Sequence, residues 1–316
     1  MKMRTAAAVC ALAMLGTAAF AKEPEGLKKR IAVFTFEDKT DHQVHWWNGG
    51  QGVGEGMSDM LTTALVKKGK FRIMERAQIE KIMQEQALGA SGAVTPQTAA
   101  KMGNLLGVEL AVVGTVSEFG YKESKTGGSI GGLASRALGM GAGMGAAVTN
   151  VSAVVGIDVR FVDVNTGEIL AAETVNKSES SKGLSLSAAN LSFENEKKFD
   201  ESVVGKATRA AIDELVNKIE KQMDNVAWSG RVIKADGKSV IINAGKNTGV
   251  RIGDELIVLQ KGEELIDPET GISLGSEETQ IGKIKIVTDM ADGKASKCEL
   301  LEGSGGKNGD LVKYPK

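Results

Sequence analysis

IDVRFVDVNTGEIL, residues 157–170, is the stretch on which the reading of the fold turns. Ile157, Val159 and Phe161 alternate with Asp158 and Arg160, the period of a half-buried strand. Asn165-Thr-Gly167 has turn chemistry, and Glu168-Ile-Leu170 starts a return strand, so the stretch reads as a β-hairpin. Upstream, Val108–Val116 reads as a strand, and IAVFTF (Ile31–Phe36) as a first, buried one. Between them, Met57, Met60, Leu61, Ala64 and Leu65 recur at helical spacing, and Gly69 stops that helix after Lys67-Lys68. Phe71–Met74 reads as a second strand, followed by a helix over about 77–86 carrying Ile79, Ile82 and Met83. A further helix opens at Thr95-Pro96, with Thr95 as N-cap, and ends near Gly107. Downstream, Val204, Ala207, Ala211, Leu215 and Ile219 share one face of a helix over Phe199–Met223, with Glu214 and Lys218 paired on the exposed side. This order predicts an α/β (α+β) domain with a covered sheet and hairpin insertions.

After Val226 the pattern changes. Short apolar runs at Arg231–Ile233, Val240–Ile242, Leu256–Leu259, Ile281–Ile286, Cys298–Leu301 and Leu311-Val312 are punctuated by Asp236-Gly237, Gly249, Gly253-Asp254 and Asp267–Gly271. Asp-Gly between alternating runs marks a hairpin. Residues 227–316 are therefore expected to form a separate small all-β domain, a partly closed barrel.

The N-terminus carries an address. Lys2 and Arg4 precede an apolar run over residues 6–18, and Ala19-Phe20-Ala21 has the form of an A-x-A cleavage site. That is a secretory signal peptide, too short to span a membrane. Ala7-Ala8-Val9 before Cys10 is a poor lipidation box, so the expected mature chain starts at Lys22 without lipid. The domains then read 1–21 signal peptide, 22–226 α/β domain with candidate membrane hairpins near 122–156 and 173–200, and 227–316 small β domain. The protein is expected in the periplasmic space bounded by the outer membrane, with association with that membrane as a further expectation.

Export also narrows the chemistry. Cleavage removes Lys2 and Arg4, and no acid, from a chain of formal charge −1. The mature protein is mildly acidic and lacks the basic excess of a nucleic-acid binder. Of the two cysteines only Cys298 remains, which gives neither an internal disulfide nor a cysteine metal site. Asp38, Asp41, His42 and His45 could make a metal cluster, but no helical period aligns them, and Trp46-Trp47 beside them suit a sticky loop. Gly52, Gly54 and Gly56 before a helix, with Glu75 beyond, invite a dinucleotide reading. The tract lacks G-x-G-x-x-G spacing and does not follow its strand in a tight turn. No G-x-S-x-G elbow is present, and neither Cys298 nor His42 has a recognisable catalytic partner. The expectation is a protein that is not an enzyme, with no catalytic residue, no cofactor and no metal.

Several pieces, in order, resemble one family: Ile31–Phe36 with Glu37-Asp38-Lys-Thr40; Met57–Leu65 running into Phe71–Arg76; Gln78–Gln86; Leu105-Leu-Gly107 with Val112-Val-Gly114; and Ile157–Leu170. The chain is similar here, over roughly residues 28–220, to the CsgG family, the curli production assembly and transport component. The resemblance implies an envelope protein that assembles into a homo-oligomeric ring, lends two β-hairpins per subunit to a shared secretion barrel, and works with secreted or envelope protein partners. Residues 227–316 resemble the small C-terminal β-domain of the flagellar H-ring protein FlgT, through Gly249, Gly253-Asp254, Asp267-Pro268 and Gly309-Asp310. The expected function is transport or assembly; the alternative is a soluble periplasmic structural or protein-binding module without a pore.

One stretch is singled out as a membrane or pore strand. Leu138, Met140, Ala142, Met144, Ala146 and Val148 alternate with Gly139, Gly141, Gly143, Gly145, Ala147 and Thr149. The length matches the about 9–11 residues that a tilted strand needs to cross a bilayer. Leu184 and Leu186 alternate with Ser185 and Ser187 in a second segment, as do Leu191 and Phe193 with Asn190 and Ser192. Two other readings stand beside it: a glycine loop, and a helix packed through Gly139–Gly143 and Gly141–Gly145.

Overall fold

The computed structural model describes residues 26–40, 52–74, 107–126, 148–164, 167–182, 196–266 and 273–315, with Phe193 and Pro268. The signal peptide and the two helices expected between 77 and 107 lie outside the described residues.

The first apolar run becomes β1 (Arg30–Val33), and Glu37–Asp38 becomes β2. Ile31 and Val33 face one core while Ala32 and Phe34 face another, so β1 is buried on both sides. α1 (Val53–Lys68) follows, and Gly69 ends it in the left-handed conformation, φ 71°, where glycine pays no steric penalty. Lys67 and Lys68 sit in its last turn, favourable to the helix dipole. The glycine tract has a packing role: a Cβ on Gly54 would lie 2.1 Å from the Phe36 carbonyl oxygen. Only glycine lets α1 lie so close to the link between β1 and β2.

β3 (Arg72–Met74), β4 (Leu110–Thr126), β5 (Val148–Asp163) and β6 (Ile169–Lys182) complete the sheet. Its order is β3-β1-β4-β5-β6, with β2 beside β4. β1 pairs in parallel with β3 and β4, whereas β4, β5 and β6 are antiparallel. The hairpin read from residues 157–170 is the β5–β6 turn. β4 runs ten residues past Val116, the end expected from the sequence.

The last helical pattern splits into α2 (Glu196–Glu201) and α3 (Val203–Asn225). The Ser202 hydroxyl caps α3 by accepting from the Gly205 N–H at 2.9 Å. Val204, Ala207, Ala211, Leu215 and Ile219 are buried with the sheet residues Ile157, Val159 and Phe161. Full burial of a side chain of this size stabilises by about 1.5–3 kcal/mol, so this stripe is what holds the helix on the sheet.

β7 (Gly230–Asp236), β8 (Ser239–Ile242), β9 (Glu255–Ile266), β10 (Ser273–Met290), β11 (Ala295–Gly303) and β12 (Leu311–Lys313) form a closed barrel ordered β10-β11-β8-β7-β12-β9. Closure is complete rather than partial. The short β12 pairs with both β7 and β9, through Leu311↔Arg231 and Leu311↔Leu259. Val232, Val240, Ile242, Leu256, Val258, Ile284, Ile286 and Cys298 pack the interior with Trp228. Trp228 meets Tyr314 at 5.5 Å between ring centroids.

Contacts join the sheet to the barrel at two places, around Leu27-Lys28 and around Glu109. The Lys28 N–H donates to the Thr248 carbonyl at 2.8 Å, and Leu27 packs on the barrel core. Glu109, 1% exposed, accepts from Arg30 Nη2 at 2.9 Å and from the Arg30 N–H at 2.6 Å, while its Oε1 lies 3.3 Å from the Ser229 N–H.

Candidate functional site

β4, β5 and β6 are 17, 16 and 14 residues long, against 4 and 3 for β1 and β3. The three long strands run on past the core sheet as a ribbon. At about 3.3 Å per residue, β4 alone spans roughly 55 Å. The ladder ends with Thr126 opposite Val148 and with Asn150 opposite Lys182. Residues 127–147 therefore leave and rejoin the sheet at the same end from which the chain departs after Lys182.

A register shift between Val116 and Glu118 leaves Ser117 as an extra residue. Such a bulge re-aims the following side chains. Leu110, Val112 and Val116 face the helices before it; Phe119 and Tyr121 face them after it. α3 begins against this part of the ribbon. The Tyr121 hydroxyl bonds with Ser202 and the Val204 backbone, and burial raises the phenol above its ordinary value. Phe193, taken from sequence as part of a lipid-facing segment, is instead buried, edge-on to Phe199 at 5.1 Å.

The other face of the ribbon is polar and small. The Ser152 and Ser180 hydroxyls meet at 3.0 Å, Thr174 donates to Asp158 at 2.6 Å, and Lys122 pairs with Glu118. β6 forms the rim: among the described residues no strand pairs with its outer side. Two ion pairs pin α3 to this rim strand, Lys218 to Glu173 at 2.5 Å and Glu214 to Lys177 at 2.5 Å. The Glu214–Lys218 pair expected from the helix spacing is longer, 3.9 Å. Sequence spacing within one helix could not show partners on a strand, although Glu173 and Lys177 repeat the complementary signs.

Leu138, Met140, Ala142, Met144 and Ala146 lie outside the described residues; Val148 is the first residue of β5. Leu184, Leu186 and Leu191 lie outside as well, as do Asp41, His42, His45 and Glu75. Asp38 accepts from the Thr40 N–H and hydroxyl, at 2.9 and 2.7 Å. Among the described residues no group of three or more His, Cys, Asp or Glu side chains could hold a metal ion, and no helix is long and apolar enough to cross a membrane. An open recess of about 790 Å³ lies between Gly26–Lys29, Phe71 and the end of α3. Lys28, Lys29, Lys70, Glu220 and Lys221 line it, a charged rim without a nucleophile beside a base.

Residues 15–249 match the family described as the curli production assembly/transport component CsgG. The chain belongs to the CsgG family. Over 213 residues it is 26% identical to a Neisseria meningitidis serogroup B protein named as a lipoprotein, spanning 67% of this chain and 83% of that one. A solved lipoprotein from Neisseria meningitidis superposes with a TM-score of 0.33 at 15% identity, over 62% of this chain and 99% of that one. The PelC dodecamer from Paraburkholderia phytofirmans gives 0.30 at 12% identity, over 60% and 86%. At such scores the superpositions carry no further weight, and membership of the CsgG family rests on the sequence match.

Proposed function

We propose that this protein is an exported envelope component of the CsgG type, assembling as a homo-oligomeric ring that secretes or anchors an extracellular structure. The observation that carries the reading is the ribbon: three strands ending together, with connections on one end and an edge strand, β6, that has no outer partner among the described residues. An exposed strand edge is a template for pairing with another chain. In this reading residues 127–147 and 183–192 are the parts offered to a membrane or a ring lumen, and Leu138, Met140, Ala142, Met144, Ala146 and Val148 form the lipid-facing row. The mature chain starts at Lys22, residues 22–226 assemble, and residues 227–316 act as an appended module similar to the C-terminal domain of FlgT. No catalytic step is assigned.

Met144→Asp and Gly143→Asp test this. A charge on the lipid-facing row is destabilising, most of all near the bilayer midplane, so Met144→Asp should abolish membrane association or conductance while Gly143→Asp is milder. Equal, negligible effects of the two changes sink the spanning strand. The polar row of Ser152, Ser180, Asp158 and Thr174 favours a second reading, a soluble periplasmic module using the same fold without a pore. Sedimentation showing only monomer, in buffer and in mild detergent, selects that reading.

A further inference from the structure

Where the sheet meets the barrel, three guanidinium groups surround one carboxylate. Arg30 and Arg72 are direct partners on the parallel strands β1 and β3, so their side chains leave neighbouring strands on the same face. Arg231 approaches from β7. Gly107 lies between: a Cβ there would sit 3.7 Å from Arg30 Nη1 and 4.0 Å from Arg231 Nε. Among the described residues Glu109 is the carboxylate that acts on both Arg72 and Arg231, and it is already committed to Arg30 and Ser229.

Like charges at this spacing repel, and two of the three side chains are half-buried. Burial, and then the charge of Arg30, hold both Arg72 and Arg231 below the usual guanidinium value; Glu109 only partly opposes this. Lys261 adds to the excess, held low by burial and then by Arg231. Glu278, which pairs with Lys313 at 2.6 Å, and Asp163 only partly oppose this at Lys261.

Donors are left over. Arg30 spends Nε and Nη2 on Glu109 and Ser229, and its Nη1 points to the Gly107 side. Arg231 gives Nη1 to the Gly309 carbonyl at 3.1 Å. Among the described residues the Arg72 guanidinium has no carboxylate within ion-pair distance. A guanidinium presents five N–H donors in a planar fork that matches an oxyanion.

We propose that Arg30, Arg72 and Arg231 form an oxyanion site at the seam of sheet and barrel, and that its ligand is a phosphoryl group. The surplus of two positive charges over Glu109 matches a phosphate monoester of about −1.5 to −2 better than a single carboxylate. Bound there, the anion bridges β1 and β3 of the sheet to β7 of the barrel.

The test uses the whole mature protein, with Arg72→Gln and Arg231→Gln, in inorganic phosphate and in chloride at matched ionic strength. Phosphate should raise the melting temperature of the parent beyond chloride, and each variant should bind phosphate about tenfold or more weakly. In chloride, Arg72→Gln should be as stable as the parent or more so, because it removes repulsion. Flotation with phosphatidylglycerol and with phosphatidylcholine vesicles identifies the source. Retention on the anionic vesicles alone, lost in Arg72→Gln, assigns a lipid headgroup; phosphate binding without retention assigns a soluble phosphate ester. Equal melting in phosphate and chloride overturns the site. So does Arg72→Gln melting lower by the same amount in both salts, since that is the behaviour of an arginine neutralised within the chain.

Discussion

The sheet ends in the open, while the barrel closes on itself. Among the described residues β6 presents fourteen residues of strand with no partner on its outer side, yet the three residues of β12 suffice to join β7 to β9 and remove the edge between them. Closure is the only full remedy for exposed strand edges. The two regions can therefore meet other molecules only in different ways. The sheet can add a strand, through backbone hydrogen bonds that do not read side chains. Where its ring is closed, the barrel presents side chains rather than a strand edge.

The sharpest way to break this contrast is at the joint. Glu109→Ala leaves Arg30 buried without its carboxylate beside two further arginines, and removal of one member of a buried pair typically costs about 3–5 kcal/mol. Because Glu109 also holds Ser229, the loss should reach both regions. Urea unfolding followed by circular dichroism reports the whole chain. Cys298 reports the barrel: its thiol is fully buried and pushed up to about 12 by desolvation, so it should not react at neutral pH until the barrel opens. A variant that loses stability by circular dichroism but keeps Cys298 protected would show that the joint does not couple the two.

A smaller pair of changes should separate the regions. A Cβ on Gly54 would stand 2.1 Å from the Phe36 carbonyl, and one on Gly282 would stand 2.0 Å from the Ser304 carbonyl. Both contacts are with backbone, which gives way poorly, and overpacking of this kind costs about 1–3 kcal/mol. Gly282→Ala should speed maleimide labelling of Cys298, and Gly54→Ala should not. Equal labelling rates would erase the distinction between an open and a closed unit.

The sequence was legible where one element explains its own pattern. The apolar stripe of α3, the Gly69 stop and the hairpin at 157–170 each lie within a single element. Ser117 hid the outer half of β4. The bulge shifts the inward parity from Val112 and Val116 to Phe119 and Tyr121, so the alternation read up to Val116 breaks just where the strand continues. The closing strand was equally faint, because Leu311-Val312 is a short signal whose two partners lie far apart in the chain. The joint was illegible for another reason. Glu109 looks like one polar residue in an apolar run, and its partners Arg30 and Ser229 stand 79 and 120 residues away. Gly54 was visible as part of a tract, but its purpose depends on Phe36, which no spacing rule connects to it.

The smallest expected effect lies in the ion pairs that fasten α3 to the edge strand. The Lys177 hydrogen bond holds Glu214 below the ordinary carboxylate range, and the Glu173 hydrogen bond holds Lys218 above the ordinary ammonium value. A depressed carboxylate stabilises the fold above its unfolded pKa and loses that contribution as pH falls through its folded one. Glu214 should therefore weaken α3 only below about pH 4. A raised ammonium acts in the opposite sense. The Lys218 contribution is complete below about pH 10 and disappears as pH rises through the elevated folded value. Between these limits the pairs give no slope. Both are solvent-accessible, so each is worth a few tenths of a kcal/mol and should shrink in 1 M salt, where the screening length is about 3 Å. In the barrel, Glu255 and Lys283 meet at 2.6 Å with shifts of the same directions. Lys177→Gln should remove the acid-side slope from sheet unfolding and leave Cys298 labelling unchanged at every pH, whereas Lys283→Gln should do the reverse. If Lys177→Gln changed the acid response of Cys298, the edge strand and the barrel would be unfolding as one unit, and the separation of the open sheet from the closed barrel would fail at its weakest link.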